Sequence, residues 1–386
     1  MASLPRRRFL LLLLTIATIL LAAVAFFRDT TPPEFITLAL PAEAPVEELL
    51  VVPFHMSEPV VLEFSANHAT ERMSEKTGEM HFPVVAGPQT ITIVATDRAG
   101  NETTVAHTLI GRSAPELHLV VPSFARRADA VTAELHLGTA EHAAAITDVA
   151  ITVDGTKLPA HSGTDGVVRA LYAAALNSSN DASEFVATAL DQFGREYETH
   201  ATMAIGPRDD IIFELLELSS ETLSLSTPEG REYEAQLFTE VYARASEYPV
   251  PRWSEPFIQP SEGWTSSNFG DERQYAVGGN ISYHTGHDFA TPQGTPIYAT
   301  NDGVVVVAEQ LPLKGGTVAI DHGAGLVSLY LHQSEIIAQV GDEVRRGDLI
   351  GLVGTTGLST GPHLHWEMRV HSVESAPSYY VGHVFP

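Results

Sequence analysis

The sequence runs to 386 residues, with 44% hydrophobic side chains, 29 Gly and 24 Pro. That length predicts roughly two to four compact units, and the composition excludes bulk disorder while favouring many short strands. With 22 Lys and Arg against 48 Asp and Glu, the formal charge of −26 excludes nucleic acid as a partner, and the absence of cysteine excludes disulfides, thiolate metal sites and a Cys nucleophile.

The N-terminus opens with Arg6, Arg7 and Arg8, followed by an apolar run from Phe9 to Phe27 interrupted by Thr15 and Thr18. Nineteen residues at about 1.5 Å each reach roughly 28 Å, near the ~30 Å of a hydrocarbon core. Residues 1–29 are therefore expected to start in the cytoplasm and cross the membrane as one helix, with the rest of the chain outside. Ala23-Val24-Ala25 resembles a signal cleavage site and Arg6-Arg7-Arg8-Phe9-Leu10 has a twin-arginine look. The length of the apolar run favours a retained anchor over a cleaved signal.

Residues 32–111 alternate in short segments such as VVLEF and TITIVATD between Gly, Pro and Asn signals, and residues 113–207 repeat the pattern. Each copy sends a strand into an Asp-x-x-Gly turn, Asp97 to Gly100 and Asp191 to Gly194, where Asp caps and Gly supplies a positive φ. Two tandem β-sandwiches are expected. The string ATDRAGN resembles bacterial immunoglobulin-like domains, and a role as spacers is the simplest expectation for both modules.

Residues 208–254 combine apolar and acidic side chains with helical spacing at Leu237, Val241 and Tyr242, stopped by Pro249 and Pro251. They read as a short helical linker. From 255 to 386 strand signals crowd together in DGVVVVAEQ, GTVAIDHG, LVSLYLH and DLIGLVG, predicting an antiparallel β domain. The whole chain is thus all-β apart from the anchor and linker.

The informative histidines lie in this last block, within YHTGHDFATPQGTPI, YLHQS and TGPHLHWEMRV. His284 and Asp288 are four residues apart and His363 and His365 two apart, so on extended strands each pair is expected on one face. Two imidazoles and one carboxylate are a standard catalytic zinc set that leaves a position open for water. No helical H-E-x-x-H is present. Gly354, Gly357 and Gly361 are expected to let the backbone turn close beside the groove and aim His363 inward.

H-x-x-x-D, an H-x-H after Gly-Pro and the Tyr-x-His between them resemble the lysostaphin/LytM-type peptidoglycan endopeptidases, over about Phe257 to Met368. The likeness includes SNFGDERQ, DHGAGLVSLYLHQS and VGDEVRRGDLIGLVGTTG. It implies one zinc ion held by His284, Asp288 and His365. His332 and His363 would then serve as non-ligand catalytic histidines, hydrogen-bonding the metal's water and the developing oxyanion. The implied activity is hydrolysis of a peptidoglycan peptide cross-link by metal-activated water attack, in the periplasmic part of the cell envelope. A non-catalytic envelope regulator that activates amidases and a wall-binding scaffold of the same fold are the alternatives. Glu367 is expected to support the site or to be surface charge, His287 to face away from His284 and Asp288, and His322 to be structural. Gln333, where an apolar residue is usual, is expected to bear on substrate contacts.

Overall fold

The structure, a computed structural model, describes residues 14–18, 29–67, 69–138, 140–215, 219–274, 281–383 and 385. Apart from 14–18, the apolar run expected to cross a membrane lies outside these. Among the described residues no helix is long and apolar enough to cross a membrane. Strands dominate, and the chain divides into two compact units.

The first unit comprises Met1–Glu116, Thr139–Ala145 and Asp191–Gly194. A five-stranded sheet and a three-stranded sheet share one apolar cluster that includes Phe54, Met56, Phe64, Phe82, Ile91 and Ile93. Period-two alternation explains this: in Gly87–Thr96 every second residue is buried. The turn after that strand forms as its residues require, with Asn101 donating its backbone N–H (2.8 Å) and its side-chain amide (2.7 Å) to Asp97 and with Gly100 at φ 85°. The second copy matches it, Phe193 N donating to Asp191 Oδ1 at 2.8 Å and Gly194 lying at φ 78°.

The second unit comprises Leu117–Gly138, Ile146–Leu190 and Arg195–Pro386. Its first part pairs a five-stranded with a four-stranded sheet around Leu135, Ile151, Phe185 and Met203. Its second part is built on an eight-stranded antiparallel sheet, in the order Trp264–Ser267, His287–Ala290, His363–Val370, Leu326–Gln333, Gly315–Asp321, Gly303–Leu311 and Glu343–Val344, with Val373–Ser375 beside His363–Val370. One face of this sheet packs Leu364, Trp366, Tyr330 and Ile320 against Ile297 and Ile350 of a smaller three-stranded sheet.

The opposite face is covered by the helix Pro228–Glu247, whose Phe238, Val241 and Ala245 meet Val307, Leu311, Ala319, Val327 and Leu329. Thr227 caps this helix by accepting from Gly230 N at 3.0 Å, and Pro228 fills its first turn. The region expected to be a connector thus supplies core to the sheet. The helix covers only part of the face. His363, His365 and Glu367 alternate with the core-facing Leu364 and Trp366 and line a cavity together with Arg231 and Glu234 of the helix.

Candidate metal centre and active site

Strand pairing brings the candidate residues together. Asp288 lies opposite His365, Ser267 opposite Asp288 and Leu331 opposite His365, so the four form one cross-strand row. His284 is placed differently from the extended reading of the H-x-x-x-D motif. It lies in the connection between Ile281–Tyr283 and His287–Ala290, and the chain bends at Gly286. A Cβ on Gly286 would sit 2.6 Å from both His365 Nε2 and Trp366 O, so the bend passes too close to the centre for any side chain. His284 is fixed by backbone bonds with the Asn268–Asp271 turn, its N–H reaching Asp271 O at 2.9 Å and its C=O accepting from Gly270 N at 2.8 Å.

The ligand atoms of His284, Asp288 and His365 lie within 4.8 Å of one another, and all three residues are buried. Asp288 Oδ1 is 3.0 Å from His284 Nε2 and 2.7 Å from His365 Nδ1, and these two nitrogens are 3.0 Å apart. Their outer nitrogens decide where the protons are. His284 Nδ1–H donates to Asn268 O at 2.7 Å and His365 Nε2–H to Glu367 Oε1 at 3.2 Å, so each neutral ring presents a bare lone pair inward. Two lone pairs and a carboxylate oxygen facing one another at about hydrogen-bond distance repel unless a cation lies between, either a second proton on His365, whose pKa is raised, or a metal ion. The donor set is that of zinc.

The charges point the same way. Burial works to raise Asp288, but the imidazoles of His365 and His284 outweigh it and hold the carboxyl well below its usual range. Burial opposes charge on His365, yet Asp288 and Glu367 raise its pKa. The centre is short of positive charge. Arg273 Nη2 takes the other carboxylate oxygen, Asp288 Oδ2, at 2.7 Å, and Arg273 Nε donates to Glu214 Oε2 at 3.1 Å. That leaves Oδ1 turned to the centre.

His332 and His363 stand beside the three, their rings 4.8 Å apart and His363 Nε2 3.8 Å from Asp288 Oδ1. Both hold their proton on the outer nitrogen, His332 Nδ1–H donating to Thr356 O at 2.8 Å and His363 Nδ1–H to Gly361 O at 2.8 Å. Each keeps Nε2 bare. Burial lowers both pKa values, that of His332 well below the ordinary imidazole range with help from the neighbouring imidazoles.

Alternation along Leu326–Gln333 would turn His332 away from the row that Leu331 joins. Two features re-aim it: φ of 63° at His332 and a register shift between Gly316 and Val318 on the partner strand. These residues open on a cavity of about 590 Å³ that Leu331 and His332 both line.

Of the remaining expectations, His287 does face away, bonded to Thr265 Oγ1 at 2.8 Å and resting on Phe289, and burial pushes its pKa down to about 4. His322 is a buried strut between Asp302 O and Ser328 Oγ. Glu367 is fully buried, so it is support and not surface charge. Gln333 turns inward, its Nε2 donating to Tyr330 O at 2.8 Å, so its side chain serves the fold and not the cavity wall. Gly354 and Gly357 are needed where backbones touch, a Cβ meeting Ser334 N at 2.3 Å and Leu313 O at 2.4 Å, but a Cβ on Gly361 would meet nothing within 4 Å. Glu214, Glu234, Arg273 and Lys314 lie outside the H-x-x-x-D, Tyr-x-His and H-x-H motifs. SNFGDERQ contains Arg273, and the other three carry no local signal.

Residues 282–377 match Peptidase family M23. The C-terminal region is a peptidase family M23 domain. It bears out the lysostaphin/LytM resemblance seen in the motifs. The chain is 48% identical over 105 residues to the peptidoglycan DD-endopeptidase ShyA of Vibrio cholerae, covering 27% of this chain and 24% of that protein. It is 44% identical over 106 residues to the DD-carboxypeptidase/endopeptidase Mpg of Neisseria meningitidis, covering 28% and 24%. The catalytic domain of lysostaphin from Staphylococcus simulans is 31% identical, covering 30% of this chain and 90% of that one, with a TM-score of 0.28. The chain spans about a quarter of the length of the curated relatives it matches.

Proposed function

We propose that the protein is a zinc-dependent endopeptidase of the bacterial cell envelope that hydrolyses peptide cross-links of peptidoglycan. The observation that carries this reading is the common orientation of four histidines. His284, His332, His363 and His365 each hold their proton on an outward nitrogen and turn the bare one toward the same cavity. His284, Asp288 and His365 would hold one zinc ion, which when bound acidifies water and polarises an amide carbonyl.

His363 and His332, kept neutral by burial, are available to accept a proton at Nε2 and, once protonated, to donate to an oxyanion or a leaving amine. Gly361 O and Thr356 O keep the rings from turning over. Arg273 withholds one Asp288 oxygen from any incoming donor. The peptidoglycan substrate is supported by the M23 relatives, three of which are named peptidoglycan DD-endopeptidases. The expected envelope location and N-terminal membrane anchor agree with that substrate.

Purified sacculi incubated with the zinc-loaded chain and resolved as muropeptides test the proposal. New uncross-linked peptides, abolished by chelator and absent with His284→Ala and His363→Ala, are expected. Unchanged sacculi from folded, zinc-loaded protein would sink it.

A further inference from the structure

The helix Pro228–Glu247 lies outside the segment that matches the family, 282–377, yet its Arg231 and Glu234 both line the cavity, and Glu234 is the buried one. Glu234 is 5% exposed, and its Oε1 accepts the backbone N–H groups of Leu313 (2.5 Å) and Lys314 (3.2 Å). A buried carboxylate is costly unless bonded, and both bonds here go to one short turn. The carbonyls of the same two residues face the other way. Leu313 O accepts from Leu358 N at 2.8 Å, and Lys314 O accepts from His332 N at 3.0 Å. The second of these bonds is made by the residue whose φ of 63° turns His332 toward the site. A non-glycine residue at such an angle persists only where its surroundings hold it.

The Lys314 side chain extends the connection. Its Nζ donates to Glu367 Oε1 at 2.9 Å, the oxygen that also accepts His365 Nε2–H at 3.2 Å and Thr285 Oγ1–H at 3.2 Å. Arg369 Nε holds the other oxygen at 2.9 Å. Glu234 therefore clamps a turn with two outputs: a backbone bond to His332 and a charge-assisted bond to the carboxylate that fixes the tautomer of His365.

We propose that Glu234 is a positioning residue of the active site, setting His332 and His365 through the Leu313–Lys314 turn. The activity arm of its test rests on the peptidase reading, and the spectroscopic arm does not. The test compares the full chain with Glu234→Ala, Glu234→Asp and Glu234→Gln, using cross-linked muropeptide hydrolysis and the ring-nitrogen NMR signals of histidine labelled with nitrogen-15. His371 is an internal control for the seating of the helix, since its ring bonds Ser246 of the same helix and Leu171 O and makes no bond to the turn.

In Glu234→Ala, kcat falls on the order of tenfold or more with KM within about twofold, as misplacement of catalytic groups requires. The ring signals of His332 and His365 shift and those of His371 do not. Glu234→Asp, which pulls the oxygen back from the turn but keeps the charge, gives the same pattern more weakly and decides the matter if the Ala variant does not fold. Glu234→Gln, which keeps an acceptor oxygen in place, returns kcat to within about threefold. Wild-type kcat and unshifted His332 and His365 signals in the Ala or Asp variant would overturn the proposal. So would loss of activity in all three variants with His371 shifted alongside, since that marks general damage. If the unsubstituted chain cleaves nothing, the peptidase reading fails while the ring signals still decide the role of Glu234.

Discussion

Each site histidine is held at its outer nitrogen by a carbonyl or a carboxylate, and the consequence for pH dependence can be worked out. Burial lowers the pKa of His363 and of His332, so both stay neutral to lower pH than an ordinary imidazole. The acid limb of kcat/KM, followed with a soluble cross-linked peptide, should therefore fall below pH ~6.5. A limb at or above that value would mean that neither ring is the titrating base. Gly286 offers a second test. A methyl there would stand 2.6 Å from His365 Nε2 and from a backbone oxygen, and neither can withdraw without moving the centre. Gly286→Ala is expected to weaken zinc binding on the order of tenfold or more, read by competition with a chromophoric chelator, while the domain stays folded. At this scale the sequence was most legible: H-x-x-x-D and H-x-H named the residues that meet. It was least so where the backbone departs from plain alternation, at the Gly286 bend and at His332, because neither a bend nor a positive φ at a non-glycine residue leaves a spacing to read.

Among the elements, the Pro228–Glu247 helix carries more than a connection. Its helical spacing was visible at Leu237, Val241 and Tyr242, but the residues that sink into the sheet are Phe238, Val241 and Ala245, with Leu237 and Tyr242 only partly covered. Charged residues among them hid how much of the helix is buried, and Glu234, inside the packed face, looked like any surface acid. Phe238 stacks on Tyr242 at 5.9 Å and lies under Lys314, whose Nζ is 5.5 Å from its ring. Truncating it opens a cavity between helix and sheet. Phe238→Ala should lower the unfolding free energy of the second unit by about 3–5 kcal/mol, measured by denaturant titration. A loss below ~1 kcal/mol would mean that the helix is only loosely applied and that the sheet is stable without it.

For the molecule as a whole, the second unit joins the sheets of residues 117–206 to the M23 domain. The apolar cluster of the large sheet includes Ala130, Leu171 and Ala173 beside Trp253, Tyr330 and Tyr380. Ala128 O accepts from both Ala376 N and Ser375 Oγ at 2.9 Å, and Leu171 O accepts from His371 Nε2 at 3.1 Å. Alanines and backbone carbonyls make this junction, and such groups are silent in a sequence, so the expectation of a spacer had nothing to set against it. The energetic consequence is that these contacts stabilise the M23 domain only in a chain that still has them. A chain beginning at residue 113 should melt within about 2 °C of the full chain in its M23 transition. One beginning at residue 208 exposes Trp253-side core and leaves Ser375 and Ala376 without their acceptor. Two lost buried bonds and the uncovered apolar surface together cost on the order of 3 kcal/mol or more. For a unit of this size that corresponds to a melting point lower by roughly 6 °C or more in scanning calorimetry. Equal melting of the two truncations would mean that the junction adds nothing to stability.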